Sequence, residues 1–435
     1  MMVLAKVGRT QTTQTALAEI LRRGEAAQLR KDFPQAAEEY RKALKLKPSP
    51  EIYEKLGLVY FLQNSHAQAI EAFSEALRLD PNRWGSQLFL GIELYRMNRF
   101  QEALTHIRTA LQLNPRQNDS RYWLGLTYDA LGDYQQGIGY LRSALENDPK
   151  NLDILYALAE AYLDLSTILA NRLDAHPEDH KRREALEERV GIKKLVASRG
   201  VEPWEQLVSA WRRMEDAHKE VFKAPQTDED ALFVLSRVYG ELAQLTADRV
   251  RELEPDSYRA HQLLGEAFEG KEDYESALEE YRKALRLSPE APGLHYSIGH
   301  AYWQMKRFDE AIPEMDKELV LNPNHASANY ALGHIYLYKR EVPKAAHYLQ
   351  VAVEAKPDFV EARKQWGKAL SLLHDDQKAA QQLELAAAAD PQDDSVHYLL
   401  AGVYRKMGLE DKAQRELGIF DELRRQKHRH NEPPE

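Results

Sequence analysis

The sequence contains no cysteine, and this absence removes several kinds of chemistry at once. Disulfide bonds, thiolate metal sites and cysteine nucleophiles are all excluded. Long apolar runs are missing as well, because no stretch reaches the roughly 18 uncharged apolar residues typical of a membrane-spanning helix. Residues 1–9 carry only a short apolar run and no cleavage-like signal. We expect a soluble cytoplasmic protein without direct membrane insertion, or a periplasmic one if a signal peptide preceded this sequence.

The sequence also lacks a surplus of positive charge. Its 435 residues include 59 Lys or Arg against 69 Asp or Glu, which leaves a formal net charge of -10. Nucleic acids and anionic membranes bind surfaces with a positive field, so we expect neither as the main partner. The basic run at residues 424–430 lies at the end of the last predicted helix, where cations complement the helix dipole. We interpret it as part of a solvated C-terminal tail.

Signatures of the common catalytic classes are missing. The sequence has no Gly-rich phosphate loop, Gly-x-Ser-x-Gly elbow, His-Glu-x-x-His motif or calcium loop. Its fifteen histidines are scattered. His261, His295 and His397 fall at a packing position of predicted helices, which favours core histidines over metal ligands. We therefore predict a protein that is not an enzyme and that holds neither a cofactor nor a metal ion.

What the chain does have is a strict period of small residues. Glycines, with one alanine in their place, recur every 34 residues in two series, which are Gly57, Gly91 and Gly125, then Gly265, Gly299, Gly333, Gly367 and Ala401. A small residue stands 12 positions after each of them, and a proline follows after 12 more, except in the last case. Gly24, Ala36 and Pro48 form one further set, a residue early. Such a fixed period predicts an array of repeats.

Each period encodes two helices. Around Gly299, the side chains of His295 and Tyr302 lie on one stripe of a first helix. A second helix is predicted from Phe308 to Leu321, before an Asn-Pro pair that ends it. A glycine in a helix interior costs about 1 kcal/mol relative to alanine, so a close contact between the two helices must offset this cost. A single hairpin cannot bury its apolar face alone, so neighbouring hairpins must stack in series.

These positions resemble the tetratricopeptide repeat, whose 34-residue unit carries Leu-Gly, an aromatic residue, Ala, a second aromatic residue, Ala and Pro in this order. Residues 258–289 match these positions with Leu264, Gly265, Phe268, Ala277, Tyr281, Ala284 and Pro289. Nine units fit the pattern, with starts near Leu17, Pro50, Trp84, Asn118, Tyr258, Pro292, Ala326, Val360 and Asp394. The resemblance implies an all-α, right-handed superhelical solenoid of antiparallel helix pairs, and a role as an interaction scaffold.

The period fails after Ala159 and resumes about one hundred residues later. Two irregular segments echo each other, with Tyr162 matching Tyr239 at an offset of 77. We predict an N-terminal extension (1–16), repeats 1 to 4 (17–151), a degenerate repeat (152–177), a helical insertion (178–230), a second degenerate repeat (231–257), repeats 7 to 11 (258–425) and a disordered tail (426–435). Trp204 and Trp211 share one seam of a helix in the insertion, which either packs on the solenoid or forms a partner site; we favour packing.

Candidate binding residues lie on the face of each first helix that turns away from its packing stripe. In the family that the sequence resembles, this face lines a concave groove. Aromatic and imidazole side chains recur there as Tyr122, Tyr296, His300, Trp303, Tyr330, His334, Tyr338 and Tyr398. Toward the C-terminus the same positions carry the cations Lys364, Lys368 and Arg405. We predict that a protein or peptide partner binds to these residues.

The sequence thus favours a non-enzymatic adaptor that holds a peptide or a partner's helix in an aromatic groove. The alternative is an accessory subunit of a secretion, pilus, envelope or polysaccharide assembly system whose catalysis lies in another chain. A third possibility is an enzyme whose site uses carboxylates of the insertion, but those charges fit a solvated helix face. The lysine and asparagine set with which some family members grip a terminal carboxylate is not matched, because the asparagines are missing. The oligomeric state is not predicted.

Overall fold

The structure is a computed structural model that describes residues 2–171 and 229–430. This part of the chain contains 20 helices and no strand, so the predicted all-α class is confirmed. The chain divides into two compact bodies, Met1–Leu263 and Leu264–Glu435. We call them the N-terminal body and the C-terminal body. Among the described residues, no helix is long and apolar enough to cross a membrane.

The helices of the N-terminal body are α1 (Met2–Leu29), α2 (Phe33–Leu46), α3 (Pro50–Leu62), α4 (His66–Leu79), α5 (Trp84–Arg96), α6 (Phe100–Leu113), α7 (Asn118–Ala130), α8 (Tyr134–Asn147), α9 (Leu152–Asn171) and α10 (Glu229–Leu253). Helix α11 (Tyr258–Glu269) crosses the boundary between the bodies. The C-terminal body continues with α12 (Tyr274–Leu287), α13 (Leu294–Gln304), α14 (Phe308–Leu321), α15 (Ala326–Tyr338), α16 (Val342–Ala355), α17 (Val360–Leu372), α18 (Asp376–Ala389), α19 (Asp394–Lys406) and α20 (Glu410–His430).

Successive helices pack as antiparallel pairs, for example α3 with α4 and α15 with α16. Each second helix then packs on the first helix of the next pair, as α4 does on α5 and α16 does on α17. Each body is therefore a solenoid of stacked helix pairs, as the 34-residue period predicts. A pair contacts mainly its sequence neighbours, so its apolar faces are buried by stacking along the series.

The periodic glycines lie where the two helices of a pair touch. A Cβ added to Gly333 would come within 2.5 Å of Leu349 Cγ, which lies 16 residues further on in the second helix. The carbonyl oxygen of Ala345, the small residue 12 positions on, would be 3.3 Å away. The close approach predicted from the small residue is thus present, and a large apolar side chain at the sixteenth position fills the space that the glycine leaves.

The irregular middle of the sequence forms one helix pair. Helix α9 has 20 residues and α10 has 25, and the two pack against each other along their length. The rings of Tyr162 and Tyr239 stack with centroids 6.0 Å apart, and Ser166 Oγ donates to the carbonyl oxygen of Ser236 at 2.7 Å. The two segments that we predicted as separate degenerate repeats are therefore the first and second helix of a single pair. Their 34-residue spacing is lost because the chain between them is much longer than a turn.

Both terminal segments contain helix, and the prediction of a disordered tail is wrong for residues 426–430. Residues 2–16, assigned to an N-terminal extension, belong to α1, and α20 continues to His430 through the first half of the predicted tail. Neither glycine nor proline interrupts residues 419–430, so local sequence allows that helix to continue. The predicted insertion helix with Trp204 and Trp211 lies outside the described residues.

Candidate partner-binding site

The first helices α13, α15, α17 and α19 form the inner face of the C-terminal body. Each of α13, α15 and α17 contacts the first helix of the next pair in addition to its own second helix. Contacts of this extent between successive second helices are not found in the described part of the body. The first helices therefore lie closest together, and the side chains that turn away from their packing stripe are collected on one surface. Ten of the eleven predicted binding residues lie on these four helices.

Five of those residues form what we call the aromatic cluster: Tyr296, His300, Trp303, Tyr330 and His334. The indole of Trp303 is its centre, since the rings of Tyr330 and His334 meet it edge to face at centroid distances of 5.9 and 5.4 Å. The His300 ring lies 5.4 Å away on the other side. All five side chains are partly buried. Edge-to-face ring pairs of this kind favour a fixed geometry, so the cluster is a preformed surface.

The hydrogen bond between Trp303 and His334 determines which imidazole nitrogen carries the proton. Trp303 Nε1 donates to His334 Nδ1 at 3.3 Å. An indole N–H can only donate, so Nδ1 of His334 is unprotonated and Nε2 carries the hydrogen. Burial and the neighbouring Lys368 ammonium lower the pKa of His334 below its usual value of 6.5. His334 is therefore neutral near pH 7, with an Nε2–H group as its donor.

His300 has the opposite arrangement of its ring nitrogens. Its Nδ1 meets a carboxylate oxygen of Glu269, and its Nε2 lies 3.1 Å from the amide nitrogen of Gln304. Nδ1–H therefore donates to Glu269, whereas Nε2 accepts from the Gln304 amide. Glu269 also accepts a hydrogen bond of 2.6 Å from the Tyr281 hydroxyl. These contacts hold the His300 ring at the edge of the aromatic cluster.

Two residues that were not among the predicted binding residues pack against the cluster. His325 lies against Tyr296 with ring centroids 4.7 Å apart, and Phe359 lies 4.9 Å from Tyr330. His325 is the N-cap of α15, where its Nδ1 accepts a hydrogen bond of 3.1 Å from the backbone N–H of Ala328. Burial lowers the pKa of His325 to about 4. Both residues precede a first helix directly, and this position is the signal that could have identified them.

The predicted cations do not form a single group. The side chain of Lys364 is only 13 % exposed, and its ammonium contacts Glu361 at 2.5 Å and Asp393 at 2.9 Å. Lys364 is thus paired inside the protein and joins α17 to the cap of α19. By contrast, Lys368 and Arg405 are exposed and form no ion pair with any described residue. Both line a cavity together with Tyr398.

Two predicted aromatic residues lie apart from the cluster. Tyr338 is 69 % exposed, and its ring packs on Phe308 at 4.9 Å, at the start of α14. Tyr122 belongs to the N-terminal body, where its ring meets Trp123 at 5.6 Å and burial raises its pKa to about 12. Tyr122 and the aromatic cluster therefore lie in different bodies. The cluster and the exposed cations are the part of the predicted set that the inner face brings together.

Two protein-family models match the sequence. The model described as tetratricopeptide repeat matches residues 21–83, 90–151, 124–175 and 296–358. The model described as TPR repeat matches residues 265–306. Together they cover more than half of the chain. A comparison with curated proteins gives no match.

Several solved structures are similar to the chain. A structure of MamA from Desulfovibrio magneticus RS-1 is 22 % identical with a TM-score of 0.37, covering 39 % of this chain and 96 % of its own. YrrB, described as a TPR protein with an unusual peptide-binding site, is 24 % identical with a TM-score of 0.37, covering 41 % of this chain and 91 % of its own. Yeast Tom70 is 13 % identical with a TM-score of 0.36, and covers 97 % of this chain and 98 % of its own.

Proposed function

Because the chain belongs to the tetratricopeptide repeat family, we propose that it is a non-enzymatic adaptor that binds a segment of another protein. The family supports a protein-interaction scaffold in general. The finer part of the proposal is the location of the site, which we assign to the inner face of the C-terminal body. The partner segment would lie across α13, α15, α17 and α19.

The observation that carries this proposal is the preformed aromatic cluster around Trp303. Two rings and one hydrogen bond hold the indole, yet it remains partly accessible. A partner that packs against it need not pay the entropy of ordering a mobile side chain, because the indole is already held in place. Tryptophan and tyrosine are enriched among the residues that contribute most to interface affinity.

The spacing of the helices indicates the length of the bound segment. Packed helices lie about 8 to 10 Å apart, so the three steps from α13 to α19 span roughly 27 Å. An extended chain advances about 3.3 Å per residue, and about eight residues therefore cross the inner face. Apolar side chains would meet the aromatic cluster at one end. Acidic side chains would meet Lys368 and Arg405 at the other end, since opposite charges favour the encounter.

The change Trp303→Ala tests the site. We expect it to weaken the binding of a partner obtained by pull-down with the full-length protein by about thirtyfold, because losing a central aromatic anchor costs about 2 kcal/mol. Isothermal titration calorimetry with the purified partner measures the change. Trp84→Ala is the matched control, because Trp84 is a half-exposed tryptophan of the N-terminal body.

Circular dichroism and thermal unfolding show whether both variants remain folded. A folded Trp303→Ala protein with wild-type affinity would place the binding site elsewhere. Loss of affinity in Trp84→Ala alone would move the site to the N-terminal body.

A further inference from the structure

The last two helix pairs of the C-terminal body border a half-open cavity of about 260 Å³. It opens between the first helices α17 and α19, and α18 and α20 contribute to its wall. We call it the basic cavity. Its lining includes the apolar Leu372, Leu383 and Leu417 and the cations Lys368, Arg405 and Lys406.

The cavity exists because a glycine stands where the preceding pairs carry a large side chain. Gly402 follows the periodic Ala401 by one position, and the same position holds His300, His334 and Lys368 in the three pairs before it. A Cβ added to Gly402 would meet no atom within 4 Å. Unlike the periodic glycines, Gly402 therefore allows no close helix contact and leaves open space on the inner face.

Part of the apolar wall of the cavity is accessible to a ligand. Tyr398 is 58 % exposed and Leu372 is 52 % exposed, although both are large apolar side chains on an inner face. Lys406 is held in place, since its Nζ donates to Ser371 Oγ at 2.8 Å and lies 3.8 Å from Asp376. Lys368 and Arg405 have no such ion pair among the described residues. An apolar space thus lies between two cations, one on each flanking helix, that form no ion pair within the described part of the chain.

We propose that the basic cavity receives one apolar side chain of the partner segment, the size of leucine or phenylalanine, between two acidic side chains. The proposal rests on the proposed function, which places a partner segment on this face. Sites for drug-sized molecules usually have volumes of about 300 to 1,000 Å³, so the smaller cavity suits a side chain better than a free organic ligand.

The positions of the acidic residues follow from the geometry of an extended chain. Residues two positions apart point to the same side and lie about 7 Å apart. Neighbouring first helices are separated by about 8 to 10 Å. An apolar residue that enters between α17 and α19 therefore directs the residues two before and two after it toward Lys368 and Arg405. The recognised pattern is acid-x-apolar-x-acid, and its carboxylates come from side chains.

A labelled peptide with blocked termini and the core Glu-Ser-Leu-Ser-Glu, flanked by Gly-Ser spacers, is the probe. Fluorescence anisotropy with the full-length protein measures its affinity. We expect alanine in place of leucine, or glutamine in place of both glutamates, to weaken binding at least tenfold. Binding of the glutamate peptide should also fall as salt is raised. Equal affinities for the three peptides would overturn the proposal.

The change Gly402→Leu fills the cavity from within. It should lower the affinity for the probe peptide at least tenfold. Because leucine replaces an exposed helical glycine, it should also raise the melting temperature by about 2 to 4 °C. Gly139→Leu is the matched control, since Gly139 is an exposed helical glycine of α8 with no atom near an added Cβ. The control should gain stability and bind like the wild type.

A stabilised Gly402→Leu protein that binds the probe like the wild type would contradict the cavity assignment. If Trp303→Ala still weakens the binding of the natural partner in that case, the proposed function stands and only the cavity assignment fails. If neither variant changes the affinity for the natural partner, the inner face is not the binding site and both proposals fail.

Discussion

The three histidines at this site differ in the hydrogen-bond role of their Nδ1 atoms. His334 accepts from an indole at Nδ1, whereas His300 donates from Nδ1 to a carboxylate. His325 uses Nδ1 to accept from a backbone N–H and so caps α15. In the capping role a histidine replaces the usual Ser, Thr, Asp or Asn. Adding a proton to His325 Nδ1 would remove the cap.

His325 makes the stability of the protein depend on pH. Its folded pKa of about 4 lies below the unfolded value of 6.5, so the unfolded chain binds the proton more readily between these values. The stabilising contribution of neutral His325 is present above about pH 6.5 and is lost as the pH falls toward 4, by as much as about 3 kcal/mol. We expect His325→Asn, which keeps a capping side chain but does not titrate, to reduce this loss.

Urea unfolding at about pH 7.5, 6 and 5 measures the effect. His347→Asn is the control, because His347 is an exposed histidine on α16 that caps no helix. If the free energy of unfolding falls equally with pH in the wild type and in His325→Asn, another group controls the acid sensitivity.

The helix pair is the element on which the fold is built, and one contact defines its geometry. In each of the eight regular pairs with a periodic glycine, that glycine faces the large apolar residue 16 positions on. These residues are Tyr40, Phe73, Ile107, Leu141, Tyr281, Met315, Leu349 and Leu383. The shape of that residue varies among these eight pairs, whereas the glycine does not change. The cost of adding a methyl group at the glycine should therefore depend on how easily the opposite side chain can move.

Gly333→Ala and Gly299→Ala test this dependence. An added Cβ would lie 2.5 Å from the branched Leu349 Cγ in the first case, and 3.1 Å from atoms of the unbranched Met315 in the second. Alanine gains about 1 kcal/mol of helix propensity, but overpacking costs about 1 to 3 kcal/mol where the neighbour cannot adapt. We expect Gly333→Ala to lower the free energy of unfolding by about 1 kcal/mol, whereas flexible methionine makes Gly299→Ala nearly neutral.

Chemical denaturation of both variants and the wild type gives the two changes in the free energy of unfolding. If both alanines stabilise the protein equally, the glycines are not required for helix contact, and our explanation of the 34-residue period would be wrong.

At the scale of the whole molecule, stability is expected to be local because each pair contacts mainly its neighbours. In stacked repeats the free energy of unfolding is approximately a sum of terms from single repeats and adjacent interfaces. A destabilised repeat should therefore open without the distant ones.

Hydrogen exchange of Gly333→Leu tests this locality. We expect faster amide exchange in α15 and α16 and in the adjoining α14 and α17, because the leucine side chain would overlap Leu349. Helices α3 to α6 of the N-terminal body should exchange as in the wild type. A uniform increase along the chain would indicate that the chain unfolds as one cooperative unit.

Local signals in the sequence were sufficient for most of the repeat architecture. The first helices begin at Pro50, Trp84, Asn118, Ala326, Val360 and Asp394, which are the starts that the period indicates, and α14 runs from Phe308 to Leu321 as predicted. The glycine, the proline and the apolar pattern that define a helix pair all lie within that pair. About 34 consecutive residues are therefore enough to predict it. The same periodicity indicated which side chains turn toward the inner face, including all five of the aromatic cluster.

Tertiary structure alone decided how those side chains are used. The pairing of α9 with α10 brings together segments on either side of residues 172–228, and the sequence between them holds no signal for that contact. Lys364 and Lys368 occupy equivalent faces of one helix, but Asp393 in the next repeat pairs with the first, and the second forms no ion pair with a described residue. The proton positions on His300 and His334 and the cavity beside Gly402 likewise depend on neighbours about 30 residues away. A repeat period specifies where each residue lies, whereas charge pairing and open volume depend on the particular side chains that adjacent repeats place opposite it.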